Sequence, residues 1–384
     1  MQKYYQWPIC AFALLSFVSI ALGNVTLGLA TLFFLIYIFK NKPSLPQDLK
    51  GYFVVIGIFL LSLLASALAS GDIKTGLKVW ADMRIWRMMP LLIIVFSIKE
   101  AYQAKRLLSI SMVGIAIGIA CLIYQGLSGD HRAAGFFGHP MTFAGYLCIY
   151  VPIFMICFLD GKILGKHTWV TGILFFAGCA AAVFNGTRGA WLALAFVMGL
   201  ILFYYMSQKK LAAILCFILL FGSVMGLTNN RRFMRRVNTI TSTRYQSNTE
   251  RLLIWQSAYK MFQDHPVLGV GLGQYKDNYQ QKYISPKAKE PNLGHAHNNF
   301  LQMLAENGLV GFFGFVSMIV YFIMKPLLRF WKTRSPYALM ISMSTLALIL
   351  QGLTEYNFGN SAVMKTFWLV LGCLLVLEYK SEKR

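Results

Sequence analysis

A histidine motif is the part of this sequence best suited to chemistry. His297-Asn298 is followed, after nine residues, by Gly308-Leu-Val-Gly311. An unperturbed histidine titrates close to neutral pH, so His297 can act as a general base that takes a proton from a substrate. The structural alternative is a histidine at a helix start that neighbouring amides hold in place. Both interpretations stay open at the level of the motif.

Arginines beside small or polar residues indicate a second chemistry, the binding of an anion. The candidates are Arg188, Arg132 and Arg251. A guanidinium group can pair with two phosphate oxygens at once, and Gly186 and Gly189 leave the backbone around Arg188 open to a ligand. Each arginine also has a structural alternative. Arg188 can anchor a helix end at a membrane interface, and Arg251 can pair with Glu250 or Asp264.

Other candidate sites are weaker. His295 and His297 have a short spacing that suits zinc, but no cysteine or nearby acid completes a ligand set. His139 and His131 have no spacing that assigns them a role. The glycines of 269–273 do not follow a predicted strand, so they indicate a sharp turn and not a dinucleotide site. We therefore predict neither a metal nor a cofactor.

The composition identifies the elements that must position these residues. Hydrophobic residues make up 57% of the 384 positions and charged residues 13%, whereas a soluble domain carries roughly a quarter charged residues. A membrane-spanning helix needs about 20 apolar residues. Twelve apolar runs approach that length: 8–23, 25–39, 52–70, 88–98, 107–127, 141–159, 168–184, 190–206, 211–228, 309–331, 338–354 and 362–378. They predict an all-α polytopic membrane protein with about twelve transmembrane helices and a turn near Gly23-Asn24.

A long polar segment interrupts the apolar runs. We predict a single membrane domain, 1–384, with a large, partly helical periplasmic loop, 229–298, between helices 9 and 10. Apolar residues at helical spacing, among them Leu252, Ala258 and Tyr259, predict an amphipathic helix over 248–264. A second helix is predicted over 274–283.

The distribution of positive charge points to the same loop. Lysines and arginines are frequent in the short loops predicted to face the cytoplasm, as membrane orientation requires, so the net charge of +22 does not indicate nucleic acid. The segment 229–298 carries eleven Lys and Arg residues against four acids. Long loops escape the orientation rule, and this excess fits an anionic ligand or anionic membrane lipids.

The motifs together resemble a known family. Asn185-Gly-Thr-Arg188-Gly-Ala-Trp191 after one span, then a long loop that ends in the His297 motif, is similar to the O-antigen ligase family, within a superfamily that includes O-antigen polymerases and protein O-oligosaccharyltransferases. The resemblance implies a membrane glycosyltransferase of the GT-C-like type in the bacterial inner membrane, with its active site facing the periplasm. The implied donor is a glycan on undecaprenyl pyrophosphate, and the implied acceptor is a sugar hydroxyl of the lipid A–core oligosaccharide.

The resemblance also implies roles for the candidate residues. His297 would be the general base, Arg188 would hold the pyrophosphate, and Arg132 and Arg251 would be further pyrophosphate ligands. Asn298, Gly308 and Gly311 would support the site, and transfer would be metal-independent and inverting. We expect His297 and Arg188 to border one outward cavity.

Three alternative functions differ from a ligase in their acceptor or in their class of activity. A polymerase would extend the lipid-linked glycan, a protein O-oligosaccharyltransferase would modify a secreted protein, and a transporter would need no catalytic histidine. No predicted span has an acid at its centre, which disfavours ion-coupled transport.

Overall fold

The part of the chain that the structure describes is helical throughout. The computed structural model describes residues 6–130, 132–161, 163, 165–210, 214, 216, 218–220, 234, 237–239 and 246–380. Within them lie fourteen α-helices: α1 Gln6–Leu15, α2 Ile20–Asn41, α3 Lys50–Leu68, α4 Ile73–Trp80, α5 Arg87–Ser97, α6 Ala101–Leu127, α7 Pro140–Asp160, α8 Thr168–Asn185, α9 Arg188–Gln208, α10 Gln246–Asp264, α11 Tyr275–Asn278, α12 Asn299–Thr333, α13 Pro336–Gln351 and α14 Ser361–Lys380.

Many of these helices are long and apolar enough to cross a bilayer. Eight of the described helices meet that length and composition, and three shorter ones, α1, α5 and α13, are also apolar. The protein is therefore an all-helical polytopic membrane protein. Eleven of the predicted apolar runs overlap the helices given above. Most of the remaining run, 211–228, lies outside the described residues, and the described positions in it are helical. A total of twelve spans stays a prediction.

The boundary between the first two helices differs from the predicted one. The turn expected at Gly23-Asn24 is wrong, because both residues lie inside α2. The chain turns instead at 16–19, where the Ser19 side chain accepts a hydrogen bond from the backbone N–H of Leu22 and caps α2. The first apolar run therefore divides earlier than predicted, because the serine side chain bonds the Leu22 N–H, which would otherwise lack a partner at the start of a new helix. At 1.5 Å per residue, the ten residues of α1 cover only about 15 Å.

Two helices form the centre of the bundle. In the most apolar stretch of 18 residues in α7, 94% of the residues are buried. The same fraction is 89% in α14 and 33% in both α2 and α9. The helices α8, α9 and α13 pack around α7, and α5 packs along α14. The two central helices therefore face protein, and the outer ones present their apolar residues to the surroundings.

The polar segment docks into a break in α12. At Gly308 the backbone has φ 58° and ψ −158°, which interrupts the helix. Segment 266–271 supplies the missing partners: the N–H groups of Leu309 and Val310 donate to the carbonyls of Pro266 and Val267 at 2.8 and 3.2 Å. A Cβ on Gly308 would lie 2.4 Å from the Val267 carbonyl carbon. Only glycine fits this docking, because it tolerates the positive φ and leaves room for the neighbouring backbone.

The described part of the polar segment has a small core of its own. It joins α10, α11 and the following turn of π-helix, Tyr279–Tyr283, to the start of α12. Ile254, Ala258 and Met261 of α10 are buried there, whereas Leu252 and Tyr259 are exposed. The predicted helix exists, and of the three apolar residues named for it, Ala258 packs in the core while the other two do not.

Candidate active site

His297 is held at the start of α12 by its neighbours. The Asn298 side chain caps the helix by accepting hydrogen bonds from the N–H groups of Phe300 and Leu301 at 2.8 and 3.1 Å, and its amide donates to the Leu353 carbonyl at 2.9 Å. His297 itself has a left-handed backbone with φ 49°. Such a conformation is uncommon for a residue with a Cβ and is found where the surroundings enforce it. Asn298 thus ties the histidine to the loop between α13 and α14.

That loop supplies a carboxylate to the histidine. Glu355 Oε2 lies 3.3 Å from His297 Nδ1. Burial by itself raises the pKa of the Glu355 carboxyl, but the hydrogen bond from His297 and the electrostatic interactions with His297, His295 and Arg251 hold that pKa below its usual value. The ionised carboxylate can only accept hydrogen bonds, so Nδ1 carries the proton in this pair. The second ring nitrogen, Nε2, is then the one able to accept a proton.

His295 lies against His297. Their ring centroids are 4.2 Å apart, and the backbone N–H of His297 donates to His295 Nδ1 at 3.3 Å. Burial lowers the pKa of His295 to about 4, with a further contribution from the charge of His297. His295 is therefore neutral at physiological pH, and it accepts from the backbone that presents the neighbouring histidine.

A cavity of about 480 Å³ opens beside this cluster. The rings of His295 and His297 and the carboxylate of Glu355 form part of its wall. Further polar lining comes from His139, Lys276, Gln302, Glu306 and Asn360. The volume is in the range of small-molecule sites, roughly 300–1,000 Å³. The lining combines donors and acceptors, as a ligand rich in hydroxyl groups requires.

Arg188 lies at the start of α9 and contacts the polar segment. Its guanidinium donates to the Thr239 carbonyl, to Ser247 Oγ at 3.1 Å and to Asn248 Oδ1 at 2.8 Å. These three contacts fix the orientation of the guanidinium group. Arg188 is not one of the described residues that line the cavity.

A close backbone approach places Arg188 beside the loop that carries Glu355. A Cβ on Gly189 would lie 2.0 Å from Thr354 Oγ1. Glycine at this position therefore lets the first turn of α9 pack directly on the residue that precedes Glu355.

Arg251 lies on α10, close in the chain to the residues that Arg188 contacts, and it interacts with the Glu355 carboxylate of the His297–Glu355 pair through its charge. It follows Asn248 by three residues on α10, which places both side chains on neighbouring turns of one face. Burial lowers the pKa of Arg251, and the charge of Glu355 acts in the opposite direction. Arg251 is thus within electrostatic reach of the carboxylate bonded to His297. Like Arg188, it is not among the described residues that line the cavity.

Arg132 is exposed in the turn between α6 and α7. Asn185 ties that turn to the Arg188 motif, because its amide donates to the carbonyls of Ala133 and Pro140 at 3.0 and 2.9 Å. Arg132 is therefore on a loop bonded to the same motif, without lining the cavity. His131 lies outside the described residues.

Two acids of the site were not among the residues singled out from the sequence. Glu355 is 58 residues from His297, and Glu306 lies on α12 two turns after the histidine motif. For Glu355 the available signal was an acid directly after the apolar run 338–354. The ring and carboxylate atoms of His295, His297 and Glu355 lie within 4.8 Å of one another, so a nearby acid does complete a set that could hold zinc. The same acid also serves as the hydrogen-bond partner of His297.

Part of the chain is similar to known proteins. Residues 173–316, from α8 to the middle of α12, match the family model described as O-antigen ligase. An uncharacterized protein of Haemophilus influenzae is 28% identical over 170 residues, which cover 40% of this chain and 42% of that protein. The ComP-specific O-oligosaccharyltransferase of Acinetobacter baylyi is 24% identical over 259 residues, 66% of this chain and 46% of that protein. The chain thus spans less than half the length of these relatives.

Proposed function

We propose that this chain, whose residues 173–316 match the family model described as O-antigen ligase, transfers a glycan from undecaprenyl pyrophosphate to a sugar hydroxyl of lipid A–core. The reaction would take place at the periplasmic face of the bacterial inner membrane, with the polar segment 229–298 as a periplasmic loop. The observation that carries the proposal is the His297–Glu355 pair at the cavity wall, with Arg251 in electrostatic reach.

The proposed reaction is a single displacement. The acceptor oxygen attacks the anomeric carbon of the donor, and its proton moves to Nε2 of His297. The new C–O bond forms as the bond between the anomeric carbon and the pyrophosphate oxygen breaks, with the electron pair leaving on the pyrophosphate. Attack opposite the leaving group inverts the anomeric centre. Glu355 keeps the proton on Nδ1 and stabilises the imidazolium that forms, as a carboxylate does for a catalytic histidine.

The arginines would stabilise the leaving group. Negative charge grows on the pyrophosphate as the bond breaks, so a fixed cation stabilises the transition state more than the ground state. Arg188 is the first candidate, because the hydrogen bonds to Ser247 and Asn248 fix the orientation of its guanidinium group. Arg251 and Arg132 are the further candidates. Guanidinium groups in this role can replace a divalent metal, and we propose a metal-independent reaction.

The other motif residues would act by support. Asn298 caps α12 and bonds to Leu353, which sets the distance between His297 and the loop of Glu355. Gly308 allows the polar segment to dock. Gly311 lies in the next turn, where a Cβ would meet Asn307.

A protein acceptor is the second candidate. It is favoured by one observation, the similarity over 259 residues to an O-oligosaccharyltransferase described as ComP-specific. An O-antigen polymerase, which would extend the lipid-linked glycan, has the same donor. The donor is thus common to all three activities, and the acceptor separates them.

The test is a reconstituted reaction with purified protein, undecaprenyl-pyrophosphate glycan and a chelator of divalent metals. Lipid A–core, a purified ComP protein or no second acceptor is added, and the products are identified by mass spectrometry. We expect glycan on lipid A–core with the wild type and not with His297→Ala. His265→Ala is the matched control, because His265 is exposed and does not line the cavity. Glycan on ComP alone, or longer lipid-linked glycan alone, would replace the ligase by the corresponding alternative.

A further inference from the structure

We propose that the cavity beside His297 receives the attacking sugar ring of the acceptor, and that Glu306 makes this subsite selective for a ring without negative charge. The inference rests on the proposed glycosyl transfer and names the chemistry of its acceptor. It concerns the ring that carries the attacking hydroxyl; phosphates elsewhere on the acceptor remain outside the cavity.

The arginines and the residues that line the cavity are two different sets. Arg188 contacts Ser247 and Asn248 at the start of α10, and Arg251, on the same helix, feels the charge of Glu355. None of the described residues that line the cavity is an arginine. The region of the arginines suits the pyrophosphate. The cavity then remains available for the second substrate. The donor and the acceptor must both reach His297, since the base contacts the attacking hydroxyl.

Glu306 and Gln302 form a fixed polar edge of the cavity. They are one helical turn apart on α12, so both side chains point to the same side. Glu306 is 5% exposed, and its Oε1 accepts a hydrogen bond from the Tyr275 N–H at 3.3 Å. The Gln302 Oε1 accepts from the Ala296 N–H at 2.7 Å. The two acceptor bonds hold both groups in place at the cavity wall.

This edge matches the hydrogen bonds of a sugar hydroxyl. The Gln302 amide nitrogen has no hydrogen-bond partner among the described residues, and it is a donor. A carboxylate such as Glu306 accepts. A hydroxyl both donates and accepts, so it can donate to the Glu306 carboxylate and accept from the Gln302 amide, whereas an apolar ligand would leave the Gln302 amide donor desolvated without a partner.

The charge of the lining sets the preference. Two carboxylates, Glu306 and Glu355, face the cavity, and Lys276 is the one Lys or Arg among its described lining residues. Lys276 is exposed, so solvent screens its charge more than that of the buried acids. A phosphate or carboxylate on the attacking ring would meet two like charges while losing its own hydration. A neutral hexose or an amino sugar avoids that repulsion.

The test compares acceptors that differ in one charge. Full-length protein in nanodiscs receives lipid-linked donor and either a neutral acceptor saccharide or the same saccharide with a phosphate on the attacking ring. We expect the wild type to favour the neutral acceptor in kcat/KM by about tenfold or more, because like charges brought together across a binding surface are strongly disfavoured. Glu306→Gln should reduce that ratio and raise KM for the neutral acceptor while the donor KM stays unchanged. Asp277→Asn is the matched control, because it removes an exposed acid that does not line the cavity.

Two additions keep the outcomes separate. Gln302→Glu adds a carboxylate at the same edge and should increase the preference, so it replaces Glu306→Gln if that variant does not fold. Binding of the neutral and phosphorylated saccharides, without donor, is measured by saturation-transfer NMR on each variant. Equal use of both acceptors, or a Glu306→Gln effect on the donor KM alone, would overturn the subsite. Charge-selective binding without any transfer would overturn the proposed function and leave the subsite in place.

Discussion

The arginines and the acids near His297 differ in charge and in the way the chain builds them. Arg188 and Arg251, the cationic side, belong to α9 and α10, and neutral side chains at the start of α10 orient Arg188. Glu306 and Glu355, the anionic side, come from α12 and the loop after α13, and backbone N–H and histidine groups fix them. In the proposed reaction the two sets would bind substrates of unlike charge, because each set repels a substrate of its own charge.

The largest effect should come from the residue shared by both sides. We expect His297→Ala to lower the transfer rate by about 10²–10⁴-fold, the usual contribution of a general base. Donor affinity should change little, since the pyrophosphate is assigned to the arginines. Initial rates and donor binding on the same preparation measure both quantities. A rate within tenfold of the wild type would contradict the role of His297 as the general base.

Removal of Arg188 tests the cationic side alone. Arg188→Ala should lower kcat by roughly 10²–10³-fold, as loss of one transition-state donor does. Arg188→Lys should not restore it, because an ammonium group cannot replace the bidentate guanidinium. Lys260→Ala, an exposed cation on α10, is the control. An equal loss with Lys260→Ala would mean that net charge matters and the specific contact does not.

The pH dependence of stability tests the anionic side. The pKa of His295 is lowered from 6.5 to about 4 in the folded protein. The unfolded chain therefore binds more protons between these values, so stability falls as pH falls from about 6.5 to 4, by about 3 kcal/mol at most. His295→Asn, which keeps an acceptor for the His297 N–H, should flatten this decline. Thermal unfolding in detergent across pH 4–7 measures it, and identical profiles for both proteins would contradict the assignment.

Glu355→Gln should lower transfer by about 10²-fold, since an amide that donates to Nδ1 would select the tautomer that cannot accept the proton at Nε2. Glu355→Asp, which keeps the charge on a shorter side chain, should retain more activity than Glu355→Gln. Initial rates with lipid A–core measure the difference. The reverse order of the two variants would show that the charge of Glu355 is not what orients His297.

The smallest effect concerns the docking that supports the anionic side. Gly308→Ala should destabilise the protein by about 1–3 kcal/mol, because alanine is strained at φ 58° and its Cβ meets the Val267 backbone. Gly28→Ala is the control, as no atom lies within 4 Å of a Cβ there. Melting temperatures in detergent compare the two. Equal melting temperatures for the two variants would mean that segment 266–271 can move to admit the new Cβ without loss of stability.

The helices were more predictable than their faces and contacts. The run of apolar residues at helical spacing predicted a helix over 248–264, and α10 covers Gln246–Asp264. The buried face was only partly right, because α10 carries apolar residues on several sides, and its partners α11 and α12 cover Ile254, Ala258 and Met261 but not Leu252 or Tyr259. The amphipathic pattern fixes a helix but not which of two apolar stripes meets a neighbour.

The sequence by itself determined the membrane class, most helix positions and the motifs around His297 and Arg188. These follow from local properties, since hydropathy, helix spacing and caps depend on residues close in the chain. Only the tertiary structure placed Glu355 beside His297, Glu306 at the cavity wall and Arg188 against Asn248. Each of these contacts joins residues from separate helices or loops, and helix packing decides the contact because the intervening chain length carries no information about it.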